Sequence, residues 1–174
     1  MRSLGFLVVG SILAMGGAAS ADPSQKAVAV LKSAAGGNVA GTVGFAAVEG
    51  GVRVSGRITG LTPGSHGFHV HEKGDCSAAD FTSAGGHFNP TGDPHAGPTE
   101  AKRHAGDMGN IEANKDGVAE INYLDPKLSF EGASSVVGRG VIVHANADDL
   151  KTQPTGNAGG RVACGVVEVV KELK

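Results

Sequence analysis

The sequence predicts an antiparallel β-sandwich or barrel of eight short strands with almost no helix. Three observations predict it. Glycine is abundant, at 29 residues, while aromatic residues make up only 4% of the chain. No long apolar stripe recurs at the helical period of 3.6. Short runs that alternate apolar and polar residues are instead separated by turn residues.

The first run is KAVAVLKSA, from Lys26, which alternates weakly. VAGTVGFAAV follows Gly36-Gly37-Asn38, and Glu49-Gly50-Gly51 turns the chain into VRVSGRITGL. There Val52, Val54 and Ile58 share a parity and so one face. Further strands are expected at 67–72, 109–114, 118–123, 139–145 and 162–170. Asn114-Lys115-Asp116-Gly117 has the composition of a hairpin turn. In the 67–72 strand His69 and His71 point one way, and Phe68 and Val70 the other.

Two segments break this rhythm. Residues 73–108 and 145–161 are long, rich in Gly, Pro, Asp and His, and lack alternation. Loops of that length in a compact domain are usually functional or disordered. Six of the seven histidines lie in or beside them, which disorder does not explain. HFNPTGDPHAGP and RHAGDMGN set histidines at short spacings with glycines alongside, and glycine lets a backbone fold tightly round an ion. His104 and Asp107 are close enough in sequence to bind one ion together. Three imidazoles with a carboxylate make the closed tetrahedral set that zinc prefers, whereas a site built mainly of imidazoles with an open position suits copper. The chain supplies ligands for both.

The N-terminus reads as a secretory signal peptide over residues 1–21. Arg2 precedes an apolar run from Leu4 to Ala18, and Ala19-Ser20-Ala21 gives an A-x-A site. Gly10, Ser11, Gly16 and Gly17 make the run a poor stop-transfer helix. The expected mature domain, residues 22–174, is exported and has no membrane attachment. Cleavage removes only Arg2 among the charged residues, so the formal charge moves from -2 to -3. That mild acidity argues against nucleic acid as a partner. Cys76 and Cys164 are the only cysteines, and export favours a bridge between them, worth about 4–5 kcal/mol on a chain-entropy account.

GFHVHEKGDC, GGHFNPTGDPHAGP, RHAGDMGNI, VIVHANADDL and GNAGGRVACGVV, in that order, resemble the copper/zinc superoxide dismutase family across nearly all of the expected mature chain. The resemblance implies a Greek-key barrel or sandwich of immunoglobulin-like architecture, the class to which this family is assigned. It implies dismutation of superoxide to oxygen and hydrogen peroxide by a Cu(II)/Cu(I) cycle beside a histidine-bridged zinc, one ion of each per chain. His69, His71 and His144 are expected to bind copper, His87 to bridge, and His95, His104 and Asp107 to complete the zinc site. His87 and Arg161 are the expected catalytic residues. Arg161 holds the anion, and Asp148 joins His69 to His95. The resemblance pairs Cys76 with Cys164 and gives His66 a packing role. Asp149 is expected to be a solvated loop charge.

The stretch from Cys76 to His87 is similar to bacterial secreted members, so the periplasm is the expected address, with the extracellular medium as the alternative. Loop 145–161 carries few charges, and Lys102 and Arg103 are expected to share the steering of superoxide. A homodimer is a compatible assembly. The rival reading is a non-enzymatic copper/zinc-binding or metal-buffering module.

Overall fold

Alternation decides which side of each strand is buried, and the buried sides close on one another. The computed structural model describes residues 25–171, so the expected leader lies outside the described residues. Nine strands are described: β1 (Lys26–Ser33), β2 (Ala40–Val48), β3 (Gly51–Thr59), β4 (Gly64–His71), β5 (Asp107–Ala113), β6 (Ala119–Asp125), β7 (Gly140–His144), β8 (Arg161–Val166) and β9 (Glu168–Val169). Among the described residues the helical content is two short 3-10 turns, Thr82–Ala84 and Gly132–Ser134. No described helix is long and apolar enough to cross a membrane.

Every ladder is antiparallel, in the order β2-β3-β6-β5-β4-β7-β8-β1-β9. β1 also pairs with β2, which closes the sheet. β9 continues β8 past Val167 and pairs with the start of β1, so the closed ring is an eight-stranded barrel. A closed ring leaves no strand edge open to pair with another chain. The ends of the expected runs differ from the strands by up to three residues, except that the run expected at 162–170 is divided at Val167 into β8 and β9.

Inside the barrel, Val52, Val54 and Ile58 of β3 meet Val43 and Phe45 of β2, as their shared parity predicts. Phe68 and Val70 of β4 join the same core with Val141 and Val143 of β7. His69 and His71 therefore face outward from the barrel. Register shifts interrupt β4 between Gly67 and His69, and β7–β8 between Val143 and His144. Bulges re-aim side chains, and both of these lie beside a histidine.

The two long loops cover that outer face. Cys76 and Cys164 form a disulfide with Cα atoms 5.8 Å apart, tying residues 73–86 to β8. Beneath it, Phe81, Ala84, Ile142 and Cys164 make a second small apolar cluster.

Candidate metal centre

Burial without a partner is costly for a polar atom, and four imidazoles share that condition. His69 and His71 come from β4, His144 ends β7, and His87 forms an isolated bridge with His71. One nitrogen of each ring is engaged. His69 Nε2–H donates to Asp148 Oδ2 at 2.8 Å, His71 Nδ1–H to Gly85 O at 2.9 Å, and His144 Nδ1–H to Gly159 O at 3.2 Å. His87 Nδ1 lies 2.8 Å from Asp107 Oδ1. The other nitrogens, His69 Nδ1 and the Nε2 atoms of His71, His87 and His144, are buried with no hydrogen-bond partner. These four residues form one group whose ligand atoms lie within 4.8 Å of one another.

Charge on these rings is disfavoured. Burial pushes His69 down to about 3 and His144 to about 4, and lowers His71 and His87 as well. Neutral imidazoles with lone pairs converging on a dry centre are the form in which histidine binds a metal. The donor set fits copper, since it is nitrogen-rich and includes no thiolate.

His87, His95, His104 and Asp107 form the second group, also within 4.8 Å. The Nδ1 atoms of His87, His95 and His104 lie 2.8, 2.9 and 3.1 Å from Asp107 Oδ1. Asp107 Oδ2 accepts the main-chain N–H groups of His104 and Ala96. Burial alone would raise the Asp107 pKa, but hydrogen bonds from His104, His87, His95 and Ala96 hold it far below the carboxylate range. Burial lowers His95, yet carboxylates at both ring nitrogens outweigh it and raise it to about 9. The site therefore asks for positive charge between these groups, and three imidazoles with one carboxylate suit zinc. His87 belongs to both groups; its Nδ1 faces Asp107 and its Nε2 is the atom without a partner.

Asp148 spans the centre. Its Oδ2 accepts from His69 Nε2–H and its Oδ1 from His95 Nε2–H at 2.9 Å. Contacts of this kind fix tautomer and ring orientation. The Asn110 side chain pairs with the Asp148 main chain, accepting its N–H at 2.7 Å and donating to its carbonyl at 2.9 Å. Arg161 donates to Phe81 O and, at 2.6 Å, to Gly85 O, the carbonyl that also accepts from His71.

His66 joins neither group. Its Nδ1 lies 2.8 Å from His144 O and its Nε2 2.8 Å from Thr62 O, so it braces the sheet behind His144. Asp149 is exposed as expected, but it also organises its loop. It accepts from the N–H groups of Lys151 and Thr152, the Thr152 hydroxyl and the Asn157 amide. Arg103 corrects the expectation of steering: it is only 1% exposed and pairs with Asp125 at 2.8 Å, so it faces the interior. Lys102 is exposed. Sequence reasoning missed Asn110 and Gln153. Asn110 stands inside a motif full of ligands, whereas nothing around Gln153 marks it.

Gly156 has φ of +66°, and a Cβ there would run into the Asp148 carboxylate and come within 2.7 Å of His95 Nε2. Gly156→Ala is expected to cost about 1–3 kcal/mol of stability from backbone strain and to displace Asp148. Thermal unfolding with copper and zinc retention checks this. An unchanged midpoint with both metals kept would show that the loop absorbs the methyl group.

A family model described as copper/zinc superoxide dismutase matches residues 39–167. An extracellular copper/zinc superoxide dismutase from Brugia pahangi is 47% identical over 152 residues, covering 82% of this chain and 75% of that protein. The crystal structure of the clock protein EA4 superposes with a TM-score of 0.78 at 42% identity, covering 90% of this chain and 99% of that one.

Proposed function

The chain belongs to the copper/zinc superoxide dismutase family and is an oxidoreductase acting on superoxide, and we propose the residues that carry the reaction. His69, His71, His87 and His144 hold copper; His87, His95, His104 and Asp107 hold zinc. The observation that carries this reading is the set of four unpartnered buried nitrogens, one on each residue of the first group. When bound, copper supplies the Cu(II)/Cu(I) cycle that takes an electron from one superoxide and gives it to the next, while zinc, without redox chemistry, holds charge and geometry.

The chain's own residues do the rest. Asp148 orients His69 and His95 together, so the two halves of the centre share one brace. His87 is held at Nδ1 beside Asp107, which leaves Nε2 as the atom that takes and gives a proton. Dismutation consumes two protons for each hydrogen peroxide, and His87 Nε2 is the atom placed to pass one of them. Arg161 attracts the anion and orients it.

His87→Ala tests the shared ligand. Removing zinc from the parent should shift the Cu(II) visible spectrum, and removing it from the variant should not. An equal shift in both would exclude a bridge.

Residues 1–21 act as a cleaved leader, and the domain spans 22–174. The Cys76–Cys164 disulfide and the extracellular relative support a protein working outside the cytoplasm. The periplasm is the proposed compartment, resting on the bacterial look of the Cys76–His87 stretch, and fractionation that found the protein only in the medium would overturn it. A homodimer is the proposed assembly. A monomer in sedimentation at micromolar concentration would exclude it.

A further inference from the structure

We propose that Gln153 is a positioning residue for the zinc half of the centre, its side-chain carboxamide locking the main chain of His95; this rests on the metal assignment above. Gln153 Oε1 accepts the His95 N–H at 2.8 Å, and Gln153 Nε2 donates to His95 O at 2.7 Å. One side chain thus makes the two bonds that a neighbouring strand would make.

His95 needs such a partner because its backbone has no ladder. His69, His71 and His144 are registered in strands against Ile142, Gly140 and Arg161. The N–H of His104 is capped by Asp107. His95 lies between the Thr82–Ala84 turn and β5, in a stretch without strand or helix, and Gln153 engages both of its main-chain polar groups. With Asp148 at Nε2 and Asp107 at Nδ1, all four polar atoms of His95 are held. Two of the three holding residues come from loop 145–161.

Gln153 can act as a lock because its own turn is fixed. Asp149 accepts from Lys151 N–H and Thr152 N–H, and main-chain bonds run from Asp149 N–H to Gly156 O and from Gly156 N–H to Thr152 O. The carboxamide projects from a knotted turn, not from a loose tether. Residues orienting a metal-bound histidine typically contribute 10- to 100-fold in metal affinity.

The test compares parent, Gln153→Met and Lys151→Met, each loaded with copper and zinc. Methionine keeps the length of glutamine and removes both hydrogen bonds to His95, together with the one that Gln153 Nε2 donates to Lys151 O at 3.2 Å. Zinc release to a chromophoric chelator should be about 10-fold faster in Gln153→Met, with copper retained within about twofold and Lys151→Met matching the parent. With Co(II) in place of zinc, the d–d bands should move in Gln153→Met alone, a signature that general destabilisation does not give. Zinc release at the parent rate, loss of both metals in equal proportion, or unmoved Co(II) bands would overturn the lock. A parent that takes up no zinc would instead sink the metal assignment, which separates the two failures.

Discussion

Arg161→Glu is expected to slow superoxide consumption by about 10- to 1,000-fold in second-order rate, the range over which electrostatic focusing acts, with metal content unchanged. Arg161 starts β8, and its guanidinium is fixed by the carbonyls of Phe81 and Gly85. Gly85 O also accepts from His71, so the cation sits one shared carbonyl from the first histidine group. Its charge already acts there, helping to hold His71 and His144 neutral. Two of the five guanidinium donors are spent on carbonyls, which leaves donors for an anion. Arg161→Lys keeps the charge, but an ammonium does not reproduce the planar fork across both carbonyls, so a modest loss is expected. Salt should slow the parent and affect the glutamate variant less, or in the opposite sense, because screening weakens attraction and repulsion alike. Turnover by pulse radiolysis across a salt series, on fully metallated protein, measures this. Parent-like turnover of Arg161→Glu at low salt would make Arg161 a surface residue, with Lys102 as the remaining cation to test.

How far the sequence carried the structure depended on the range of each interaction. Alternation is local, so β3 was legible from Val52, Val54 and Ile58, and β4 from Phe68 and Val70 opposite His69 and His71. The two buried groups of candidate ligands were legible because imidazoles at short spacings beside glycines can converge on one ion. Side chains that pair with distant main chain leave no such mark. Gln153 meets His95 across 58 positions, and Asn110 meets Asp148 across 38. Neither amide stands in a period that would show it. The two bulges that aim His69 and His144 are equally silent, since a single extra residue in a glycine-rich run breaks no pattern. Arg103 was misread for a related reason. Beside exposed Lys102 it looks like part of a basic surface pair, and only the fold brings Asp125 at the end of β6 to meet it.

That buried pair sets the largest stability effect. Arg103 donates through Nε to Pro98 O, through Nη1 to His104 O and Ala105 O, and through Nη2 to Asp125 Oδ1. It therefore fastens the segment carrying His104 to the end of β6. Arg103→Met should cost about 3–5 kcal/mol, because it leaves a buried carboxylate without its counter-charge. A domain of this size is stable by only about 5–15 kcal/mol, so the loss takes a large share. Asp125 would keep the N–H groups of Lys127 and Leu128 on Oδ1, while Oδ2 already lacks a partner. Combining Arg103→Met with Asp125→Leu removes both charges, and the double variant should lose clearly less than the sum of the singles. Urea unfolding of metal-free protein with the disulfide intact measures this without metal release distorting the transition. Additive losses, or a parent-like midpoint for Arg103→Met, would show that the pair contributes little. Fully metallated Arg103→Met should also keep the parent's superoxide rate at low salt, because a guanidinium turned into the barrel wall does not steer an anion outside it. A rate that fell with the stability while metal content held would return Arg103 to the steering role its neighbour suggests.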